Sequence, residues 1–254
     1  MKRDIILKNT LKAVLTLAAV LAMTVGVHAA SLGETIYKSL QNADKSIDVS
    51  SFHVTPQAAM DEYFNVVGAN PDLFYVDLHV DCKYEMKSGE CKELVCTYNT
   101  KDVKGDKAKF NAYVTSVAAQ AKAYPGKYDQ IKFVHDFMVN NFEFNAAGLT
   151  AYSLVKDGKG DCTAYTGFFK AVMDKLNIPC KVALSEDMCH EWNVVQLDGK
   201  WYNADITWDD PIGGSGVIYS NFLKSDNLIK MGGHFNWKVD GNITCTDTTY
   251  DKVG

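Results

Sequence analysis

An Asp-Gly pair set between two aromatic and β-branched runs constrains this 254-residue chain more tightly than any other feature. Residues 190–211 read HEWNVVQLDGKWYNADITWDDP, with Asp198 and Gly199 at the centre. This pattern predicts a β-hairpin closed by a two-residue type I′ turn, and the turn sets the register. Leu197 then faces Lys200, Trp192 lies opposite Asp205, and His190 lies opposite Thr207. Because side chains alternate along a strand, His190, Trp192, Asp205 and Thr207 share one face, while Glu191 points to the other. His190 and Asp205 become diagonal neighbours, with Cα atoms about 7–8 Å apart, within reach of an imidazole–carboxylate hydrogen bond. A one-residue slip would separate them. Asp209 and Asp210 lie beyond the paired region, so Asp205 is the candidate carboxylate. The plainer alternative is that His190 opens an ordinary strand and Asp205 caps its end.

A second element, upstream, bears on that choice. In GKGDCTAYTGFFKAVMDKL, Tyr165, Phe168, Phe169, Val172 and Leu176 recur at helical spacing and mark an amphipathic helix. Asp161 is an N-cap residue, which puts Cys162 in the first turn. Unpaired N–H groups and the positive end of the helix dipole favour a thiolate there. Cys162 could instead be half of a disulfide. A cysteine in such a turn, a histidine after it and a carboxylate placed to orient the histidine are the parts of an activated cysteine nucleophile. The order Cys, His, Asp differs from that of serine hydrolases, and no G-x-S-x-G sequence occurs.

The rest of the chain reads as an α+β arrangement, helices first and an antiparallel sheet later. Ser31–Asn42 and Pro56–Val67 are predicted helices, the second with Thr55 as N-cap and Pro56 in its first turn. Leu73–Met86 and Lys92–Thr100 flank Ser88 and Gly89 as a hairpin. Lys107–Ala123 and Tyr128–Phe142 are predicted helices, with Ile131, Val134 and Met138 on one stripe of the latter. No repeat or linker interrupts residues 30–254, which are read as a single domain: an N-terminal helical and β-hairpin extension over about 30–123 and a core over about 124–240.

Residues 1–29 have the charged start, short apolar run and small-residue end of a signal peptide. The apolar run is shorter than the roughly 20 residues a spanning helix needs. Its removal takes four basic and one acidic side chains from the 26 and 31 in the chain, leaving 22 against 30, a net of −8 in place of −5. Nucleic-acid binding rests on neutralising phosphates with Lys and Arg, so this balance argues against it. A secreted or cell-envelope location is expected, with no membrane span in the mature form, in a compartment where disulfides persist.

The motifs GDCTAYTGFFKAVMDKLNIPC, HEWNVVQLDGKWYNADITWDDP and YSNFLKSDN resemble the transglutaminase-like superfamily, with weaker likeness through TAYSLV and ANPDLFYV. The resemblance implies a papain-like core in which a cysteine-bearing helix packs on an antiparallel sheet. It implies Cys162 as nucleophile, His190 as general base and Asp205 as the orienting carboxylate. It also implies acyl transfer through a thioester, resolved by water in a cysteine peptidase or amide hydrolase, or by an amine in a protein-crosslinking transglutaminase. A protein or peptide substrate is expected, with hydrolysis favoured. A catalytically silent binding module on the same scaffold is the third reading. Tyr152 is a candidate for oxyanion or site-wall contact, and Trp192 for shielding the pair; both are also readable as core aromatics. Calcium-regulated animal members carry β-sandwich domains that this chain lacks, so no calcium requirement is inferred. Cys189, directly before the histidine, departs from expectation.

With Cys162 as a free nucleophile, six of the seven cysteines remain and could form three disulfides. Cys82 with Cys96 is favoured across the first hairpin, and Cys180 with Cys189 is plausible, which leaves Cys91 and Cys245. No Cys-x-x-Cys or H-E-x-x-H spacing occurs, so neither a zinc site nor a cofactor is expected. His53, His79, His135 and His234 show no ligand spacing and are read as surface or core residues, with no role assigned.

Overall fold

The computed structural model describes residues 30–147, 150–212 and 216–252. The signal peptide read at 1–29 lies outside the described residues. Among the described residues, no helix is long and apolar enough to cross a membrane. The chain forms two compact units, divided between Lys104 and Gly105.

The first unit begins with α1 (Leu32–Gln41). Its N-cap Ser31 and its Glu34 form a reciprocal capping box that satisfies two backbone donors. Next come β1 (Ser46–Asp48) and α2 (Pro56–Ala69), where Thr55 caps Ala58 and Pro56 occupies the first turn as expected. β2 (Val76–Tyr84) and β3 (Cys91–Tyr98) form the hairpin, with β1 adding a third strand in the order β1-β3-β2. Ile36, Leu40, Tyr63, Tyr75 and Leu94 make its core. The buried Tyr75 hydroxyl donates to the Leu40 carbonyl at 3.0 Å and that of Tyr63 to Asp77 at 2.9 Å, so neither polar tip is orphaned.

This hairpin corrects the disulfide reading. Cys82 is bonded to Cys91, not Cys96. In the ladder Cys82 faces Leu94 while Cys96 faces Val80, so those two are offset along the strands. A register shift after Lys83 sets Cys91 opposite Tyr84 and brings its sulfur to Cys82. Cys96 stays a buried thiol, and Cys162, Cys180, Cys189 and Cys245 are likewise unbonded. The expected Cys180–Cys189 pair does not form either.

The second unit is built on a five-stranded antiparallel sheet in the order β10-β6-β7-β8-β9: β6 (Cys180–Ser185), β7 (His190–Leu197), β8 (Lys200–Ala204), β9 (Phe222–Lys224) and β10 (Lys238–Val239). Helices α3 (Val103–Ala121), α4 (Lys127–Asn141), α5 (Ala151–Asp157) and α6 (Cys162–Leu176) precede it, with β4 (Glu143–Phe144) and β5 (Lys159–Gly160) pairing between them. Short helices α7 (Ile206–Asp209) and α8 (Asp226–Met231) follow β8 and β9. The β7–β8 hairpin has the register read from the sequence, Leu197 facing Lys200 through Asn193 facing Ala204. Asp198 and Gly199 both have positive φ, as a type I′ turn requires. The strand ends sooner than expected. β8 stops at Ala204, so Asp205 caps α7 and Thr207 sits inside that helix instead of opposite His190.

α6 packs on one face of the sheet through its predicted stripe, and Phe168 meets Phe110, Tyr113 and Phe142 at ring-centroid distances of 6.4, 5.9 and 5.1 Å. The α6 face of β7 is also tied by polar contacts: Thr166 donates to the Glu191 carbonyl, and Asn193 donates to the Thr166 carbonyl, each at 3.1 Å. Trp192, Val194, Ile229 and Val239 fill the opposite face. Two glycines lead into α6. Gly158 ends α5 with φ +69°, a conformation costly for other residues. Gly160 approaches so closely that a Cβ there would lie 2.4 Å from the Cβ of Ala164 and 2.8 Å from Leu154. Gly160→Ala is therefore expected to lower stability by about 1–3 kcal/mol through overpacking. A urea midpoint unchanged from wild type would contradict this close approach.

Candidate active site

Three elements converge at one end of the sheet. Asp161 caps α6, its carboxylate accepting from Ala164 N at 3.0 Å, and this presents the half-buried Cys162 in the first helical turn. β7 begins with His190, which is buried. Asp205, fully enclosed where β8 ends, holds the start of α7 by accepting from Trp208 N at 3.2 Å through Oδ1. Its other oxygen, Oδ2, lies 2.7 Å from His190 Nε2. Cys162 is near enough to His190 to help raise the pKa of the histidine. With Nε2 used by Asp205, Nδ1 is the ring nitrogen left for the sulfur. The structure thus brings together Cys162, His190 and Asp205.

The electrostatics follow from these contacts. Burial works against a charged imidazole at His190, but the hydrogen bond to Asp205, the nearness of Cys162 and the charges of both outweigh it and raise its pKa to about 10. Burial likewise penalises the Asp205 carboxylate, yet the bonds it accepts from His190 and His234 hold its pKa below the ordinary value. An ionised carboxylate only accepts, so Asp205 fixes Nε2 of His190 as protonated.

Two residues complete the surroundings that sequence reasoning missed. His234, buried, places Nε2 2.9 Å from the same Asp205 Oδ2. It arrives just after α8, 29 residues beyond Asp205; no spacing pattern marked it, and the one signal was the resemblance, whose family often has a histidine late in the fold. Trp208 stacks on His190 at 5.2 Å and lies 4.2 Å from the His234 ring, with 39% of its own surface exposed. Asp205 as an N-cap three residues earlier was the available signal for its placement. Trp192 also stacks on His190, 5.8 Å away, and is fully buried, its Nε1 donating to Asn203 at 2.9 Å. Trp192 therefore backs the histidine while Trp208 covers it toward solvent. Tyr152, on α5, donates its hydroxyl to Asp106 on α3 at 2.8 Å.

Glu191 points to the opposite face, as the alternation required. Burial and the nearby Asp161 charge raise its pKa to about 7. The far end of α7 is anchored separately. His135 Nε2 lies 3.1 Å from Asp209 Oδ2, and Asp209 Oδ1 accepts from Asn221 N and Nδ2 at 2.9 and 3.1 Å. Tyr165 of α6 donates to Asp210. Asp205 is thus seated by a helix fixed at both ends.

Among the described residues, His190, Asp205 and His234 are the one set of three side chains whose donor atoms lie within metal-binding reach of one another. The N···O separations of 2.7 and 2.9 Å are those of charge-assisted hydrogen bonds, so protons account for the set.

Residues 114–206 match the profile of the Transglutaminase-like superfamily, and this segment, which holds Cys162, His190 and Asp205, is transglutaminase-like. No curated protein matches the chain. Among solved structures, the chain is similar to a TGase at 12% identity and TM-score 0.38, over 57% of this chain and 47% of that one. A candidate cysteine protease from Cytophaga hutchinsonii matches at 16% identity and TM-score 0.34, over 46% of this chain and 51% of that one. The periplasmic domain of TgpA from Pseudomonas aeruginosa, bound to ethylmercury, matches at 16% identity and TM-score 0.32, over 46% and 55%. The chain spans about half the length of these structures.

His190 also has a pH signature in stability. Its folded pKa is raised from 6.5 to about 10, so its contribution is fully present below pH 6.5 and is lost as pH rises through 10. The melting-temperature difference between wild type and His190→Gln is expected to shrink steadily across that window. A difference that grows with pH would contradict the assigned hydrogen bonds.

Proposed function

We propose that this protein is a secreted, thiol-dependent acyl-transfer enzyme that hydrolyses amide bonds in proteins or peptides. The observation that supports this reading best is the placing of Cys162 in the first turn of a capped helix beside His190, which is itself held 2.7 Å from Asp205. In this reading the Cys162 thiolate attacks the amide carbonyl carbon, forming a C–S bond. The resulting oxyanion is met by the backbone N–H of Cys162, whose place at the start of α6 leaves it without an intrahelical acceptor. His190 passes its Nδ1 proton to the leaving nitrogen as the C–N bond breaks, and Asp205 keeps the imidazole in the productive tautomer throughout. Water, deprotonated by the now neutral His190, resolves the thioester. Trp208, partly exposed over His190, would flank the bound acyl group.

Resolution by an amine instead of water would make the same site a crosslinker, and the two are separable with one substrate. Incubation with casein and a fluorescent amine is expected to release peptides; amine incorporation without release would replace hydrolysis by crosslinking. Cys162→Ala is expected to abolish turnover, and Asp205→Asn to lower kcat by a factor on the order of 10³ to 10⁴, because the amide favours the wrong tautomer of His190. Neither peptide release nor amine incorporation from wild type, together with no preferential alkylation of Cys162 at neutral pH, would leave a binding module.

A further inference from the structure

His234 differs from His190 in what its two ring nitrogens face. Nε2 lies 2.9 Å from Asp205 Oδ2, and Nδ1 lies 3.3 Å from the Ile229 carbonyl oxygen. A carboxylate and a carbonyl both accept and neither can donate. The ring is 1% exposed, packed by Trp192 at 4.7 Å and Trp208 at 4.2 Å, with Asp205 and His190 as the titratable groups against it. Satisfying both nitrogens requires two N–H groups, and only the imidazolium has two.

The charges then close. A buried charge is tolerated only when it is paired. In the ion-pair form that the catalytic reading requires, a Cys162 thiolate, a His190 imidazolium, the Asp205 carboxylate and a His234 imidazolium alternate in sign and sum to zero. After acylation the sulfur is in a neutral thioester, and His190 has given its proton to the departing amine. Asp205 and His234 remain as a neutral pair. Without the second cation, the acyl-enzyme would hold a buried, uncompensated carboxylate, and that carboxylate would keep the His190 proton from leaving.

Resting on the Cys162–His190–Asp205 reading, we propose that His234 is a positioning residue that acts as a buried imidazolium, sharing Asp205 with His190 so that the site stays neutral before and after proton transfer to the leaving group. The role predicts more than structural support. Removing the His234 charge strengthens the hold of Asp205 on the His190 proton, so the alkaline limb of Cys162 reactivity moves to higher pH.

The test is the rate of iodoacetamide alkylation of Cys162 against pH, followed on the Cys162 peptide by mass spectrometry so that the exposed Cys189 does not contribute. Wild type, His190→Ala and His234→Gln are compared as full-length proteins. Glutamine keeps an N–H donor for Asp205 without the charge. The alkaline limb is expected to shift up by about one pH unit in His234→Gln, the scale of a unit charge acting across a partly screened interior at the 5.9 Å between the two rings. A folded His234→Gln with an unmoved limb overturns this inference and leaves the catalytic reading intact. Cys162 reactivity unchanged in His190→Ala overturns the catalytic reading itself. Should His234→Gln fail to fold, ¹⁵N spectra of histidine-labelled wild type decide: both ring nitrogens of His234 protonated at neutral pH supports the proposal, and one unprotonated nitrogen overturns it.

Discussion

The carboxylate of Asp205 is the point on which the arrangement of the second unit depends. One oxygen accepts the Trp208 N–H and so starts α7, and the other accepts two imidazole N–H groups. A buried carboxylate must satisfy its lone pairs or forfeit several kcal/mol. Here that requirement draws together the start of β7, the end of β8, α7 and the segment after α8. The same carboxylate that caps α7 also orients a histidine, and the strand terminates just before it, at Ala204.

Rigidity around this carboxylate comes from packing that has no chemical role. His135 and Asn221 anchor Asp209 at the far end of α7, and Tyr165 ties α6 to Asp210. The aromatic cluster around Phe168 sets the depth of α6, and Gly160 lets the chain enter that helix at close range. Cys162 is then presented by a helix whose position is fixed along its length, while the buried Trp192 and the partly exposed Trp208 both stack on His190. The cysteine chemistry is separated in kind: Cys82 and Cys91 form a disulfide in the first unit, whereas Cys96, Cys180 and Cys245 are buried thiols, the pKa of each raised by desolvation. The odd number of cysteines therefore does not single out Cys162; its position at a helix start and its contact with His190 do.

Much of the second unit was legible in residue order because its determinants are local. Asp198-Gly199 specifies a turn whose geometry leaves one register, and the structure keeps that register through Asn193 and Ala204. The stripe from Tyr165 to Leu176 and the Asp161 cap specify α6 and its buried face. The same locality explains the misreading of the first hairpin. The β2–β3 connection is longer than two residues, and the register shift at its end moves Cys91, not Cys96, toward Cys82. An irregular ladder has no sequence signature comparable to a type I′ turn.

The chain by itself determined the α+β order, the Cys162 helix, the His190 hairpin and the choice of Asp205 over Asp209 and Asp210, because each rests on contacts within a few residues or across one tight turn. Only tertiary structure decided that Asp205 caps a helix, that Trp208 covers His190, that Tyr152 turns to Asp106, and that His234 shares the carboxylate. Those contacts join segments brought together by sheet packing, and they are selected by the cost of leaving a buried charge or N–H unpaired, which no spacing along the chain records.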